Sequence, residues 1–177
     1  MAIRATVAQP YSGRPGLRSL LLLLCGTFDQ PTHRGVEGGT MKFYRGRLFD
    51  HVHLLVADLD ASKRFYRAAL ESLGLSVVLT EGPGFFFADE LFVSKVDGPV
   101  SRVHLAFQAT DQETVRRFYQ AALSAAGRDN GKPGERPYHP GYYAAYVFDP
   151  DGNNIEAVFH GPAERSAKSV VITPSQR

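Results

Sequence analysis

A 25-residue pattern occurs twice in this chain, 53 positions apart, and each copy begins with a histidine. HVHLLVADLDASKRFYRAALESLGL, residues 51–75, lies over HLAFQATDQETVRRFYQAALSAAGR, residues 104–128, without a gap. His51 meets His104, Asp58 meets Asp111, Arg64 meets Arg117, and Phe65-Tyr66 meets Phe118-Tyr119. Ala68-Ala69-Leu70 meets Ala121-Ala122-Leu123 and Gly74 meets Gly127, so nine of the 25 positions are identical. Internal self-similarity of this kind marks a duplicated structural unit. Two amphipathic helices sharing core residues would account for the FYxAAL block, but the histidines lie outside that block. A duplicated strand-helix unit with a duplicated histidine predicts a two-lobed site with one ligand from each half.

The hydrophobic period carries the rest of the unit. Leu48 to Val56 alternates as a strand, Asp58 caps the helix that follows, and Gly74 ends it. Ser76 to Thr80, Gly84 to Ala88 and Leu91 to Val96 read as three short strands, so the first unit is β-α-β-β-β. Asp97-Gly98-Pro99 separates the halves. Arg102 to Ala109 is the next expected strand, and Thr110 with Glu113 gives a capping-box signature for a helix from Asp111 to about Ala126. The Gly- and Pro-rich segment Asp129 to Gly141 is expected to be a substrate loop. Tyr142 to Phe148 and Asn154 to Phe159 are strands joined by the turn Asp149-Pro150-Asp151-Gly152.

These boundaries give an extension over residues 1–40, a domain over 41–162 with modules at about 48–97 and 101–160, and a flexible tail over 163–177, in which Val170 to Ile172 is a brief apolar run. Residues 1–40 are rich in Gly, Pro, Arg and Thr and are expected to be disordered or upstream of the true start, Met41 being an alternative. The apolar run Leu20 to Leu24 is too short for a membrane span and poorly placed for a cleaved signal. Cys25 is the only cysteine, which leaves no disulfide framework or thiolate metal site and fits a cytoplasmic setting. A net charge of +2 with scattered basic residues gives no nucleic-acid footprint. The expected partner is a small-molecule substrate, with homodimerisation left open.

His51 opens the first strand of one unit, His104 the first strand of the other, and Glu156 lies in the last strand of the second; two imidazoles with one carboxylate form a ligand set for Fe(II), Mn(II), Zn(II), Ni(II) or Co(II). Glu156 lies among Ile155, Ala157 and Val158, where an inward carboxylate is costly unless paired or metal-bound. His53 shares the strand face of His51, but the repeat equates it with Ala106, which makes it a neighbour of the site or a substrate contact.

DHVHLLVADLDASKRFY, RVHLAF and DPDGNNIEAVFH resemble the vicinal oxygen chelate superfamily, which includes glyoxalase I, extradiol dioxygenases, and fosfomycin- and bleomycin-resistance proteins. The resemblance covers roughly residues 48–160. It implies an α+β fold of two tandem βαβββ modules forming a curled mixed sheet around a metal cavity. It also implies metal ligands at His51, His104 and Glu156. A glyoxalase I fourth ligand would fall at Phe92, two residues from Glu90, and so is absent or displaced. The extradiol enzymes place a histidine and a tyrosine ahead of Asp-Pro-x-Gly and the metal glutamate. His139 and Tyr146 stand in that order here, so the resemblance implies catalytic roles for His139, Tyr146 and Glu156. Departures are Pro137, Ala145, a single pair of modules, and no histidine between His53 and His104. The expected activity is that of a glyoxalase-like lyase or an extradiol-type dioxygenase, the alternative being a metal-free binding protein of the bleomycin-resistance kind.

Overall fold

The computed structural model describes Val36–Glu37, Thr40–Met41, residues 48–75 and residues 79–167. The chain divides into two compact units, Met1–Tyr44 and Arg45–Arg177. In the first, β1 (Val36–Glu37) and β2 (Thr40–Met41) form a short antiparallel ladder. The expectations for residues 1–35, Ser76 to Val78 and Val170 to Ile172 lie outside the described residues.

The second unit is the duplicated one. Its first module runs β3 (Val52–Val56), α1 (Leu59–Ser72), β4 (Thr80–Gly82), β5 (Phe85–Ala88) and β6 (Leu91–Lys95). The second runs β7 (His104–Gln108), α2 (Gln112–Ser124), β8 (Arg128–Glu135), β9 (Tyr143–Phe148) and β10 (Asn154–Phe159). Each module makes one four-stranded mixed sheet, ordered β3-β6-β5-β4 and β7-β10-β9-β8. In both, the first and last strands pair in parallel. The α+β architecture of two tandem βαβββ modules is therefore present.

The repeat is buried in the helices. Phe65, Tyr66 and Ala69 of α1 and Phe118, Tyr119 and Ala122 of α2 occupy equivalent core positions, and the two helices pack against each other. Strand alternation supplies the rest: Leu54, Val56, Phe86, Val93, Val147, Ile155 and Ala157 join the helices in one cluster spanning both modules. It follows that the opposite faces of the two sheets, bearing His53 and Phe92 on one and His104 and Glu156 on the other, turn away from that core.

The turn between β9 and β10 locks the modules together. Asp149 is fully buried and accepts from Tyr66 Oη on α1 (2.7 Å), Asn153 N (2.7 Å), Asn153 Nδ2 (2.9 Å) and Asp151 N (3.0 Å). Asp151 in turn accepts from Ala57 N of the first module at 3.1 Å.

Several expected boundaries shift. β3 begins at Val52, because Val52 N→Glu90 O (2.7 Å) is the first bond to its partner, and Leu48, Phe49, Asp50 and His51 precede it. Among the described residues β4 runs on to Gly82, past the expected end at Thr80, and β5 starts one residue later than expected, at Phe85. The cap of α2 is Asp111, not Thr110: its carboxylate accepts from Thr114 N at 2.6 Å, while Glu113 bonds Arg116 instead of closing a capping box. The largest correction concerns Asp129 to Gly141. Arg128–Glu135 is an edge strand paired with β9, with register shifts around Gly131 that absorb the glycines and Pro133. An edge position tolerates proline because one side of the strand needs no donor. Only the stretch after Glu135 remains as a loop.

Candidate functional site

Glu156 is the centre of the arrangement. It sits in the middle of β10, 3% exposed, on the face opposite Ile155 and Ala157. A buried carboxylate needs partners on both oxygens, and the neighbouring elements provide them. His104 Nε2 donates to Oε2 at 2.7 Å from the parallel strand β7, and the Tyr142 hydroxyl donates to Oε1 at 2.7 Å from the position just before β9. His104 is bonded at its other nitrogen as well, Asn154 Nδ2 donating to Nδ1 at 3.3 Å.

Tyr146 is the β9 partner of Glu156 in register. Its ring meets His104 edge-on at 6.0 Å and carries the Arg136 guanidinium at 5.1 Å. Burial, then the Glu156 carboxylate, pushes the Tyr146 phenol up to about 12, with Arg136 opposing. Burial and the bond to Glu156 push Tyr142 higher still. Both are protonated phenols at neutral pH, donors and not bases.

His139 does not touch Glu156. Its Nδ1–H donates to Pro140 O at 2.9 Å, and its Nε2 faces His160 Nδ1 at 2.9 Å. It reaches the carboxylate only through Tyr142, whose ring it meets at 5.2 Å.

His51 stands elsewhere. It is exposed, its Nδ1–H donates to Asp50 Oδ1 at 2.7 Å, and with His53, Phe87, Asp89 and Phe92 it lines a recess of about 340 Å³ on the outer face of the first sheet. Three phenylalanines form a ladder on that face: Phe92 stacks on Phe85 (5.2 Å) and Phe87 (6.5 Å), and His53 closes it edge-on at 4.8 Å while bonding Ser94 Oγ. Among the described residues no three His, Cys, Asp or Glu side chains gather as a metal site. The chain thus brings His104 and Glu156 together and leaves His51 apart. The sequence marks Tyr142 only as the start of an expected strand, because nothing local singles out a tyrosine whose partner lies fourteen positions on.

The donor chemistry fits a divalent cation in part. His104 Nε2 and Glu156 Oε2 converge as one nitrogen and one oxygen, and the third expected ligand is displaced to the other sheet.

Tandem βαβββ modules with a histidine-glutamate pair on the outer face of the second sheet define a vicinal-oxygen-chelate type of protein. The sequence profile of the Glyoxalase/Bleomycin resistance protein/Dioxygenase superfamily matches residues 48–157, and the chain belongs to that superfamily. Among solved structures, it is 30% identical to a glyoxalase/bleomycin resistance protein from Albidiferax ferrireducens T118, covering 62% of this chain and 96% of that one with a TM-score of 0.52. A glyoxalase-related enzyme from Fulvimarina pelagi is 22% identical, covering 73% and 99%, at a TM-score of 0.54. A family enzyme from Burkholderia phytofirmans PsJN is 18% identical, covering 62% and 95%, at 0.51. None of the curated proteins compared matches. No helix among the described residues is long and apolar enough to cross a membrane.

Proposed function

We propose that this chain is a divalent-metal-dependent enzyme acting on a small oxygenated molecule, a glyoxalase-like lyase or an extradiol-type dioxygenase. The observation that carries this reading is the buried Glu156 carboxylate whose Oε2 meets His104 Nε2 at 2.7 Å on an outward sheet face. His104 would bind the cation through Nε2 with its ring proton on Nδ1, and Glu156 would hold the cation through Oε2. A bound cation of this kind polarises substrate oxygens as a Lewis acid and fixes their orientation. Tyr146, a protonated phenol beside His104, would donate to a substrate oxygen, and the ladder of Phe85, Phe92 and Phe87 would pack its apolar part.

His51 as third ligand requires a second copy. The faces bearing His51's recess and the His104–Glu156 pair both turn away from the shared core, so one chain cannot close them on each other. A two-fold dimer pairs the first-module face of each copy with the second-module face of the other, giving two equal sites. The supporting experiment is complementation. His51→Ala and His104→Ala chains carrying different tags are co-expressed and the heterodimer purified. Each homodimer is expected to bind no Co(II), while the heterodimer retains about one intact site of two. A heterodimer as empty as its parents would reject the composite site, and a wild-type chain without affinity for Co(II), Fe(II), Mn(II), Ni(II) or Zn(II) would reject metal dependence.

One observation favours a second reading: the apolar phenylalanine face needs no metal to hold a flat ligand. In a metal-free binding protein, chelator would leave ligand affinity unchanged and Glu156→Gln would have little effect on it.

A further inference from the structure

We propose that Tyr142 is a positioning residue for the candidate metal site, holding Glu156 so that a single oxygen, Oε2, faces His104. This rests on the metal reading of the site and adds to it a mode of carboxylate binding and a residue that sets it.

The carboxylate has two oxygens with different neighbours. Oε2 meets His104 Nε2, and Oε1 is occupied by the Tyr142 hydroxyl, each at 2.7 Å. A donor on Oε1 fixes the plane of the group and leaves that oxygen less able to share a cation, so Glu156 binds through one oxygen. Without the hydroxyl, Oε1 is a buried acceptor with no donor, and the carboxylate can turn to offer both oxygens or to move away from His104.

Tyr142 is itself tightly held. Its carbonyl accepts from Arg136 N at 2.9 Å, and its own N–H closes a turn onto His139 O at 3.2 Å. The preceding Gly141, at φ +80°, brings the loop down onto the end of β10, where an added Cβ would lie 3.5 Å from Gly161 Cα. Its ring then forms one corner of a triangle with His139 and His160, whose sides are 5.2 Å (His139–Tyr142), 5.0 Å (Tyr142–His160) and 5.2 Å (His139–His160). The third side is fixed by a hydrogen bond. Pro140 O can only accept, so His139 carries its proton on Nδ1; its Nε2 therefore accepts from His160 Nδ1–H at 2.9 Å. The imidazole pair ties the loop after β8 to the end of β10 and clamps the phenol between them. His139 thus acts on Glu156 through Tyr142. Outer partners that orient metal ligands alter affinity by about 10–100-fold when removed.

The test is Co(II) titration of the full chain, followed by affinity and by the visible absorption of the bound ion, with circular dichroism to confirm folding. Tyr142→Phe is expected to bind Co(II) about 10–100-fold more weakly and to shift the absorption bands, because the carboxylate changes its binding mode. His139→Ala keeps the hydroxyl but opens the triangle, and is expected to move both readouts in the same direction by less. Tyr138→Phe, an exposed residue that keeps its ring, should titrate as wild type. A folded Tyr142→Phe protein with wild-type affinity and spectrum overturns the proposal while leaving the metal reading intact. If Tyr142→Phe does not fold, a His139→Ala protein indistinguishable from wild type overturns it. A wild-type chain that takes up no Co(II) removes the metal reading and this inference together.

Discussion

Phe92 occupies in the first module the register position that Glu156 occupies in the second. Glu156 stands opposite Ala106, two residues beyond His104 on β7, and Phe92 stands opposite His53, two residues beyond His51. The duplication therefore placed a carboxylate on one sheet and an aromatic ring on the other. If the proposed dimer joins the two half-sites, Phe92→Glu is expected to add a fourth ligand there and to tighten Co(II) binding, measured by titration. Unchanged affinity in a folded variant would mean that the first-module face does not meet His104 and Glu156.

The bond from Tyr66 to Asp149 is a buried polar link between the modules. Burial, then the Asp149 carboxylate, pushes the Tyr66 hydroxyl well up, so it is a permanent donor. A hydrogen bond to a charged group contributes about 1.5–3 kcal/mol. Tyr66→Phe is expected to lower unfolding free energy by about that amount in urea, with an unchanged slope. A loss under about 0.5 kcal/mol would mean that the three donors from Asp151 and Asn153 suffice for Asp149.

The helices and the central strands were legible because their signals are local: an acidic cap, a 3.6-residue apolar stripe and period-two strands. The repeat located Phe65, Phe118 and their neighbours as core, and the placing of Phe92 against Glu156 follows from the same duplication. β8 was not legible, since Gly131, Pro133 and Gly134 signal a loop and only pairing with β9 makes that segment a strand. The same holds for the site. Glu156 announces itself as a charge in an apolar strand, but the separation of His51 from His104 depends on which sheet faces share the core. That is a tertiary property with no counterpart in spacing.

Acid stability should carry a contribution from Asp111. Bonds from the Thr114 amide and hydroxyl hold its carboxyl below the ordinary value of 3.8, Arg117 assisting. A carboxyl depressed in the folded state contributes stability that is present above its unfolded value and lost as pH falls through its folded value. Asp111→Asn retains a capping oxygen but cannot titrate. Urea unfolding from pH 6 to pH 2 is expected to show a flatter acid limb in Asp111→Asn than in wild type, the two curves converging below the folded value. Parallel curves would show that Thr114 does not distinguish the charged form.

The end of α2 offers a test in which neighbouring residues respond with opposite signs. Ala126 adopts φ +69°, a left-handed conformation, whereas α1 assigns the corresponding post-helix conformation, φ +76°, to Gly74. That conformation costs a non-glycine residue about 1–2 kcal/mol, partly offset by the greater unfolded-state freedom of glycine, so Ala126→Gly is expected to stabilise by about 0.5–1 kcal/mol. Gly127 has the opposite requirement. A Cβ there would lie 2.6 Å from both Ala122 O and Val147 Cγ1 and 2.8 Å from Phe65 Cε2, so the backbone approaches too closely for any side chain. Gly127→Ala is expected to destabilise by about 1–3 kcal/mol through overpacking. Thermal and urea unfolding of the two variants should move in opposite directions. Stabilisation by Gly127→Ala would show that α2, β9 and α1 can separate without loss, against the close packing that unites the two modules.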